Sequence, residues 1–214
     1  VVSAARVVGY PAPLTTTGSH EPSLARRIAA DFLAEDVEEI PILLPMRADD
    51  PAPAGAAYDG AAETSAARLS TGEDVAVLCE GDPLFYGSFM YLLERLGDRF
   101  ETEVIPGVTS FSAAASALHQ PLCARDDALA IIPATLPDAE IEARLAAADG
   151  AIILKLGRHL ARLRALLARR GLEDMCYYAE RVGQEGERLT LLRDAPEAAP
   201  YFSLLQIRKR SALR

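Results

Sequence analysis

The chain has 214 residues, of which 50% are hydrophobic and 25% are charged, a composition typical of a globular protein with one large domain or two small ones. Acidic residues outnumber lysine and arginine by 31 to 22, which gives a net charge of -9 and argues against nucleic acid as the main partner. No apolar run approaches the roughly 20 residues that cross a bilayer, and no secretory signal pattern is found. The sequence therefore predicts a cytoplasmic protein without a membrane partner.

The first half alternates short apolar runs with helical patterns. In chain order, the predicted elements are a helix tail at 1–5, a strand at 6–10, a loop at 14–21, a helix at 22–33, a strand at 37–44, an alanine-rich helix ending near 69, a strand at 75–79, a helix at 90–96, a strand at 103–105 and a helix at 110–118. Pro11 is predicted to end the first strand. Strands that alternate with helices require crossover connections, so we predict a mainly parallel sheet.

The second half repeats the alternation after a stretch of proline and charge at 119–127, which predicts a domain junction. We therefore expect an N-terminal α/β domain over 1–120 and a C-terminal α/β domain over 121–214. Its predicted elements are a strand at 129–132, a helix at 138–147, a strand at 151–156, a helix at 160–170, a strand at 176–179 and extended runs at 187–192 and 201–207. Because no helix separates the last strands, part of the second sheet should be antiparallel.

Common nucleotide-binding and hydrolase motifs are absent from the sequence. No GxG, GxxxxGK[ST] or GxSxG pattern occurs, so the sequence predicts neither a dinucleotide fingerprint, nor a P-loop, nor a nucleophile elbow. The histidines have no metal-ligand spacing and the cysteines form no CxxC pair, so we expect no metal. Reduced, mostly buried thiols are predicted for the three cysteines, Cys79, Cys123 and Cys176.

Two strand-to-helix loops carry polar residues where an α/β sheet binds its ligand. The loop EGDP at 80–83 follows the third predicted strand, and the loop PGVTS at 106–110 follows the fourth. Each combines a glycine, which permits close backbone approach, with polar groups at a helix start that can bind an anion such as a carboxylate. The structural alternative, which the spacing alone favours, is that Asp82, Thr109 and Ser110 are helix N-caps beside tight turns.

Several stretches of the chain resemble the tetrapyrrole methylases. LCEGDPLFY at 78–86 is similar to the family's GDP loop after a buried strand, and VIPGVTSFSAAA at 104–115 is similar to its second signature. YPAP at 10–13, LKLG at 154–157 and YAERVG at 178–183 extend the resemblance over nearly the whole chain. The resemblance implies two α/β domains with the active site in the cleft between them, S-adenosylmethionine as methyl donor, no metal, and a reduced tetrapyrrole as substrate.

The resemblance also implies which residues contact the cofactor. Carried over position by position, they are Glu80, Gly81, Asp82 and Phe85 of the first loop, Thr109 and Ser110 of the second, and Leu156, Arg181 and Val182 of the C-terminal domain. An adenosyl group requires backbone donors and apolar walls, and its methionine end requires partners for an amine and a carboxylate. Our hypothesis is that Asp82 binds the amine and that loop N–H groups bind the carboxylate.

The chain departs from the family at two places. The family's first strand and its glycine-proline loop, which precede the helix that residues 1–5 would end, are not found in the sequence. The resemblance therefore implies that one strand of the first sheet is missing. His119 stands where the family commonly has glycine. We expect His119 to cap the preceding helix rather than to act in catalysis.

Within the family, the resemblance implies methylation of C20 of precorrin-2, a polycarboxylate, in cobalamin biosynthesis. The candidates for substrate binding are Tyr10, Arg26, Arg27 and Arg125, because arginine forks pair with carboxylates. The structural alternatives are a solvated helix face for the arginine pair and an ion pair of Arg125 with Asp126 or Asp127. No residue identifies itself as a general base, so the catalytic residue stays unassigned.

The sequence leaves other functions open. One is methylation of the cobalt-containing substrate at the same carbon, and another is methylation at a different ring position. From another class, the chain could be a non-catalytic module that keeps a nucleoside pocket, or a nucleotide-binding α/β protein whose similarity is accidental. The resemblance also implies a homodimer, since the family commonly forms one, although the sequence displays no interface.

Overall fold

The computed structural model describes residues 2–14, 23–45 and 52–209. The chain forms two compact units, of which unit 1 ends at residue 108 and unit 2 begins at residue 109. This division falls earlier than the predicted junction near residue 120. The reason is that the helix that begins at Ser110 belongs to unit 2, where it packs against Ala179 and Leu204.

Unit 1 alternates strands and helices around a parallel sheet, as predicted. Its elements are a 3-10 turn (Val2–Ala4), β1 (Val7–Leu14), α1 (Leu24–Ala29) with a second 3-10 turn (Ala30–Phe32), β2 (Glu38–Pro45), α2 (Ala52–Leu69), β3 (Val75–Val77) and α3 (Phe89–Leu96). The strand order is β2-β1-β3. β1 is parallel to both of its neighbours.

β1 continues through Pro11, which was predicted to end it. It pairs with β2 over its whole length but with β3 only over Val7–Gly9. The Gly9 carbonyl accepts a hydrogen bond from the Leu78 N–H at 2.8 Å. Alternate residues of a strand turn their backbone N–H and C=O groups to opposite neighbours. The backbone nitrogens of Pro11 and Pro13 therefore point to the same side as the Gly9 carbonyl, beyond the point where the pairing with β3 ends. The missing N–H of proline therefore removes no bond of the sheet.

No strand forms over 103–105, where the sequence predicted one. Residues 101–109 have neither helical nor strand structure. A cavity of about 850 Å³ is lined on one side by residues 75–78 and on another by residues 101–105. In the part of the chain that the structure describes, the sheet of unit 1 has no fourth strand, so this segment lines the cavity without pairing with β3.

Apolar side chains cover both faces of the unit 1 sheet. One cluster joins the sheet to α2 and α3, with Ile42, Tyr58, Ala62, Leu92 and Leu96 among its buried members. The other joins the sheet to α1 and the first 3-10 turn, and includes Ala5, Val8, Tyr10, Ala12 and Ala25. Burial on both faces explains why β1 is an apolar run without strict alternation.

Unit 2 contains a mixed sheet. Its elements are α4 (Ser110–Ala117), β4 (Leu129–Pro133), α5 (Asp138–Ala147), β5 (Gly150–Leu154), α6 (Leu160–Arg169), β6 (Cys176–Glu180), β7 (Arg188–Leu191) and β8 (Ser203–Arg208), with short 3-10 turns between them. The strand order is β4-β5-β8-β6-β7. β4 and β5 are parallel, whereas β8 is antiparallel to β5 and β6. The helix-free closing region thus forms the antiparallel part that the sequence predicted.

Alternate residues of the unit 2 strands divide between two cores. On one face, α5 and α6 pack against the sheet through a large cluster that includes Ile141, Ile153, Leu163, Tyr178 and Leu205. On the other face, α4 packs through Ala114 against Ala179 and Leu204. The larger cluster is the main source of hydrophobic stabilisation in unit 2.

The three cysteines differ in exposure. Cys176 is buried, Cys79 is half-buried and Cys123 is exposed, and all three are free thiols. Burial raises the pKa of the Cys176 thiol, so this residue is expected to be unreactive. The prediction of mostly buried thiols is wrong for Cys123, because this residue lies in the irregular segment after α4 rather than in a strand.

The helices of the described residues range from the six residues of α1 to the eighteen of α2. Among them, none is both long enough and apolar enough to cross a membrane. Within the same described ranges, no group of three or more His, Cys, Asp or Glu side chains could hold a metal ion.

α4 ends in a Schellman motif. The Gln120 N–H donates to the Ala115 carbonyl at 3.0 Å, and the His119 N–H donates to the Ser116 carbonyl at 3.1 Å. His119 has a φ of 52°, a left-handed conformation that glycine adopts at least cost. His119 therefore occupies a helix-capping position.

Replacing His119 with glycine is expected to stabilise the protein by about 0.5–1 kcal/mol. The relief of left-handed strain, about 1–2 kcal/mol, exceeds the entropy cost of glycine. Urea unfolding of His119→Gly and of the control Leu118→Gly measures this. The control should be destabilised, because Leu118 has a right-handed φ of -76°. A lower stability of His119→Gly would show that the imidazole makes a stabilising contact.

Candidate functional site

The loop that follows β3 is held in place by its two carboxylates. Asp82 accepts hydrogen bonds at both oxygens, from the Leu84 N–H at 2.9 Å and from the Gly107 N–H at 3.1 Å. Glu80 accepts a hydrogen bond from the Ala25 N–H, at the start of α1, at 3.1 Å. The loop is thus tied to the segment before residue 109 and to the first turn of α1.

Two glycines allow the loops of unit 1 to touch. An added Cβ on Gly107 would lie 2.7 Å from the carbonyl carbon of Gly81, closer still to its oxygen, and 3.2 Å from the Cα of Asp82. Gly81 has a φ of 69° and faces the Val108 carbonyl, 3.4 Å from where its Cβ would be. Only residues without a side chain fit this backbone-to-backbone contact. The structure therefore brings the two predicted loops together within unit 1.

Apolar side chains beside these loops are exposed to solvent. Leu84 is 46% exposed, Tyr86 is 48% exposed and Val108 is 69% exposed. Phe85 lies edge-on to the Tyr86 ring at a centroid distance of 4.9 Å. Tyr86 also has a positive φ of 55°, a strained conformation that is common at functional sites. Exposed apolar groups next to a strained, glycine-containing loop are typical of a ligand-binding surface.

Thr109 caps α4, as the structural alternative predicted. Its Oγ1 accepts a hydrogen bond from the Ser112 N–H at 3.4 Å and lies 2.9 Å from the Ser112 hydroxyl. Ser110, the first helical residue, is exposed. The same alternative is wrong for Asp82, because α3 begins only at Phe89 and the Asp82 carboxylate binds loop amides instead.

In unit 2, two predicted site loops follow β5 and β6. These strands run in the same direction, because both are antiparallel to β8, so their carboxyl ends lie at the same edge of the sheet. Lys155 has a φ of 61° and Arg181 a φ of 50°, so each loop starts with a strained residue. This edge is where an α/β sheet binds ligands.

The remaining predicted residues of unit 2 differ in exposure. Arg181 is exposed, and Val182 packs against the Ala114–Ala179–Leu204 cluster beneath α4. The Leu156 side chain is completely buried in the larger core, and its carbonyl accepts from the His159 N–H at 2.7 Å. Leu156 could therefore contact a ligand through its backbone but not through its side chain.

Two predicted substrate residues are engaged in a polar cluster of unit 1. The Arg26 fork binds Glu39, with Nη2 2.8 Å from Oε1 and Nε 3.2 Å from Oε2. The Tyr10 hydroxyl also donates to Glu39. Burial, followed by the hydrogen bond to Glu39, raises the pKa of Tyr10 to about 12, and the bond from Arg26 lowers the pKa of Glu39. Arg26 is thus not a simple solvated residue, and its fork is occupied by a protein carboxylate.

The other two arginine candidates are exposed. Arg27 lies on the solvent side of α1, in agreement with the structural alternative. Arg125 is also exposed, with a φ of 50°. From the sequence, an ion pair with Asp127 was one alternative for Arg125. Asp127 is paired with Arg208 instead, with 3.6 Å between Asp127 Oδ2 and Arg208 Nη2. Both guanidinium groups are accessible to a solute.

The Arg26–Glu39 pair predicts a pH dependence of stability. Because the folded-state pKa of Glu39 is lowered, its contribution is present above the ordinary glutamate value of about 4.3 and is lost as the pH falls through the folded-state pKa. Glu39→Gln should therefore be less stable than the parent at neutral pH, by a difference that shrinks under acid. Urea unfolding at several pH values measures it, with exposed Glu35→Gln as control. A difference that stays constant with pH would contradict this assignment.

Sequence reasoning missed several residues of these loops. The glycine of the loop 106–110 was predicted to permit close backbone approach, but no role was predicted for Val108. Glu39 could have been noticed as a charged residue inside an apolar strand. The positive φ of Lys155 leaves no signal in the sequence.

The fold is that of an α/β protein in which glycine-containing or strained loops follow β3, β5 and β6, at strand ends where such proteins commonly bind ligands. A sequence profile of the Tetrapyrrole (Corrin/Porphyrin) Methylases matches residues 1–196. The chain therefore belongs to the tetrapyrrole methylase family, as its motifs predicted.

Proteins of similar sequence include a precorrin-2 and a cobalt-precorrin-2 methyltransferase. The chain is 40% identical over 190 residues to the precorrin-2 C(20)-methyltransferase of Sinorhizobium sp, covering 85% of this chain and 78% of the relative. It is 33% identical over 217 residues to the cobalt-precorrin-2 C(20)-methyltransferase of Salmonella typhimurium, covering 97% and 90%. The cobalamin biosynthesis protein CobIJ of Mycobacterium tuberculosis is 40% identical over 215 residues, and the chain spans 42% of its length.

Solved structures of the family share the fold. The cobalt precorrin-4 methyltransferase CbiF has a TM-score of 0.71 at 16% identity, covering 97% of this chain and 85% of that one. The uroporphyrin-III C-methyltransferase of Thermus thermophilus, complexed with S-adenosylhomocysteine, has a TM-score of 0.58 at 20% identity, covering 96% and 86%. At these identities the likeness establishes the architecture alone.

Proposed function

We propose that this chain is an S-adenosylmethionine-dependent methyltransferase that methylates C20 of precorrin-2 in cobalamin biosynthesis. The observation that carries the proposal is the 40% identity to a precorrin-2 C(20)-methyltransferase over 78% of that relative's length. Membership of the tetrapyrrole methylases supports it independently.

We propose that the methyl donor contacts Glu80, Gly81, Asp82 and Phe85 of unit 1 and Thr109, Ser110, Leu156, Arg181 and Val182 of unit 2. The loop chemistry fits an adenosyl group, because exposed apolar side chains such as Val108 stand beside the close backbone contact of Gly81 and Gly107. For Leu156 the contact is through the backbone, since its side chain is in the core. The Thermus relative with S-adenosylhomocysteine makes this ligand the natural probe.

The proposed role of the protein is mainly to position two reactants. S-adenosylmethionine supplies a methyl group on a sulfonium, and the reduced tetrapyrrole supplies an electron-rich carbon. The loops hold the donor in one orientation, which lowers the entropy cost of bringing the reactants into line. Exposed arginines such as Arg27 and Arg125 are suited to the substrate carboxylates. The partly buried pairing of Tyr10 and Arg26 with Glu39 makes these two residues more suited to holding α1 in place.

Titration calorimetry with S-adenosylhomocysteine tests the cofactor site. The chain has no tryptophan, so heat is a better probe than intrinsic fluorescence. We expect one site per chain with micromolar affinity, weakened by substitution of Thr109 and unchanged in the exposed control Asp98→Ala. Absence of binding to a demonstrably folded chain would refute the proposal and favour a protein that is not a working methyltransferase.

Methylation assays with metal-free precorrin-2 and with its cobalt complex test the substrate. The Salmonella relative, at 33% identity over 90% of its length, favours the cobalt complex as the second candidate. Faster methylation of precorrin-2 supports the proposal. Faster methylation of the cobalt complex, or product methylated at another ring position, would replace it with one of the alternatives.

We further propose that the chain acts as a cytoplasmic homodimer. The family analogy supports this assembly, and so do two exposed apolar residues of unit 1 that stand four positions apart, Ile28 at 62% and Phe32 at 64% exposure. Sedimentation velocity over a range of concentrations measures the oligomeric state. A monomer at all concentrations would contradict the proposal.

A further inference from the structure

The hydrogen bond between Asp82 and Gly107 holds an otherwise unsupported segment. Residues 103–108 form no helix or strand. Among the described residues, the only hydrogen bond of this segment is that from the Gly107 N–H to Asp82 Oδ2, at 3.1 Å. The position of the segment in unit 1 therefore depends on the Asp82 carboxylate and on the backbone contact of Gly107 with Gly81.

The carboxylate itself is fixed. Its other oxygen accepts the Leu84 N–H at 2.9 Å, so the side chain is bound to its own loop and to the second segment together. Hydrogen bonds to an ionised acceptor are about twice as strong as neutral ones. Asp82 thus sets the distance between Leu84 and Val108, the exposed apolar residues on the two sides of the contact.

We propose that Asp82 is a positioning residue, whose carboxylate clamps the segment 103–108 to the loop 80–86. The clamp shapes the adenosyl site through the backbone of the two segments. This inference rests on the proposed function, since it concerns the same methyl-donor site. It replaces our hypothesis from the sequence, in which the Asp82 carboxylate binds the amine of the methionine end directly, and it limits the proposed contact of Asp82 with the methyl donor to its backbone. The two roles predict different responses to a ligand that has no amino-acid end.

The distinguishing ligand is 5′-methylthioadenosine, which keeps the adenosyl group and lacks the amine and carboxylate. Calorimetry compares its binding with that of S-adenosylhomocysteine for the parent chain, Asp82→Ala and Asp82→Asn. A clamp predicts that each substitution weakens both ligands by the same factor, about ten- to a hundredfold. Asp82→Asn keeps the size of the side chain but should not restore ligand binding, because its amide nitrogen is a donor and cannot accept the second backbone N–H.

Hydrogen exchange of the Gly107 amide tests the clamp without any ligand. We expect this amide to exchange at least about tenfold faster in Asp82→Ala than in the parent, because its acceptor is gone. The control Asp98→Ala removes an exposed aspartate of unit 1 and should leave the exchange rate unchanged. Circular dichroism verifies that each variant is folded. If Asp82→Ala does not fold, the exchange rate of the Gly107 amide is measured in Asp82→Asn.

Two results would overturn the clamp. One is a loss of affinity for S-adenosylhomocysteine with unchanged affinity for 5′-methylthioadenosine, which would assign Asp82 to the amine. The other is an unchanged exchange rate at Gly107. If the parent chain binds neither ligand, the proposed function fails, whereas faster exchange in the variant still supports the clamp.

Discussion

Replacing Gly107 with alanine is expected to weaken binding of S-adenosylhomocysteine by at least about tenfold. The new Cβ would lie 2.7 Å from the Gly81 carbonyl carbon and 3.2 Å from the Asp82 Cα, and these are backbone atoms that no rotamer change can move. Overpacking of this kind costs about 1–3 kcal/mol, which the loops can avoid only by separating. Calorimetry measures the loss of affinity, and thermal unfolding measures the accompanying loss of stability.

Gly60→Ala is the matched control. An added Cβ at Gly60 meets nothing within 4 Å, and the residue lies inside α2, where alanine is favoured over glycine by about 1 kcal/mol. This variant should bind the ligand normally and be slightly more stable. Normal binding by Gly107→Ala would mean that the contact between the loops is not required for the site.

Replacing Leu163 with alanine is expected to destabilise the protein by about 2–5 kcal/mol. Leu163 is 0% exposed, on the face of α6 that packs against the sheet of unit 2. Truncation removes buried apolar surface and leaves a cavity among residues that can collapse only partly. Urea unfolding, followed by circular dichroism, gives the change in free energy.

The control for this substitution is Met175→Ala. Met175 is 42% exposed, so its truncation should change the free energy of unfolding by less than about 1 kcal/mol. An effect of Leu163→Ala as small as that of the control would contradict the assignment of α6 to the main core of unit 2.

The architecture could be predicted because its signals are local. The apolar run at 75–79 is too short for a helix and does not alternate, which indicates a strand. It forms β3 over Val75–Val77, although these residues are only half-buried. The alternation of such runs with helices requires a parallel sheet in unit 1, and the helix-free closing region requires antiparallel pairing in unit 2. The structure has both: β1, β2 and β3 form the parallel sheet of unit 1, and β8 is antiparallel to β5 and β6 in unit 2.

Predictions failed where a strand depends on its neighbours. Pro11 is compatible with β1 because the pairing with β3 has already ended at Gly9. The segment 103–105 has the composition of a strand but faces a cavity rather than a partner. Hydrogen-bond partners across a sheet are supplied by distant parts of the chain, so composition alone cannot decide either case.

The family, the two α/β halves and the two glycine-containing loops could be predicted, because they depend on residue type and short-range spacing. The contacts made by the predicted site residues could not be predicted and are seen only in the folded chain. Asp82 binds the Gly107 amide, Arg26 pairs with Glu39, and Leu156 turns its side chain into the core. The physical reason is that a charged or apolar group is committed by whichever partner lies within a few ångströms, and the fold brings together partners that lie far apart in the sequence.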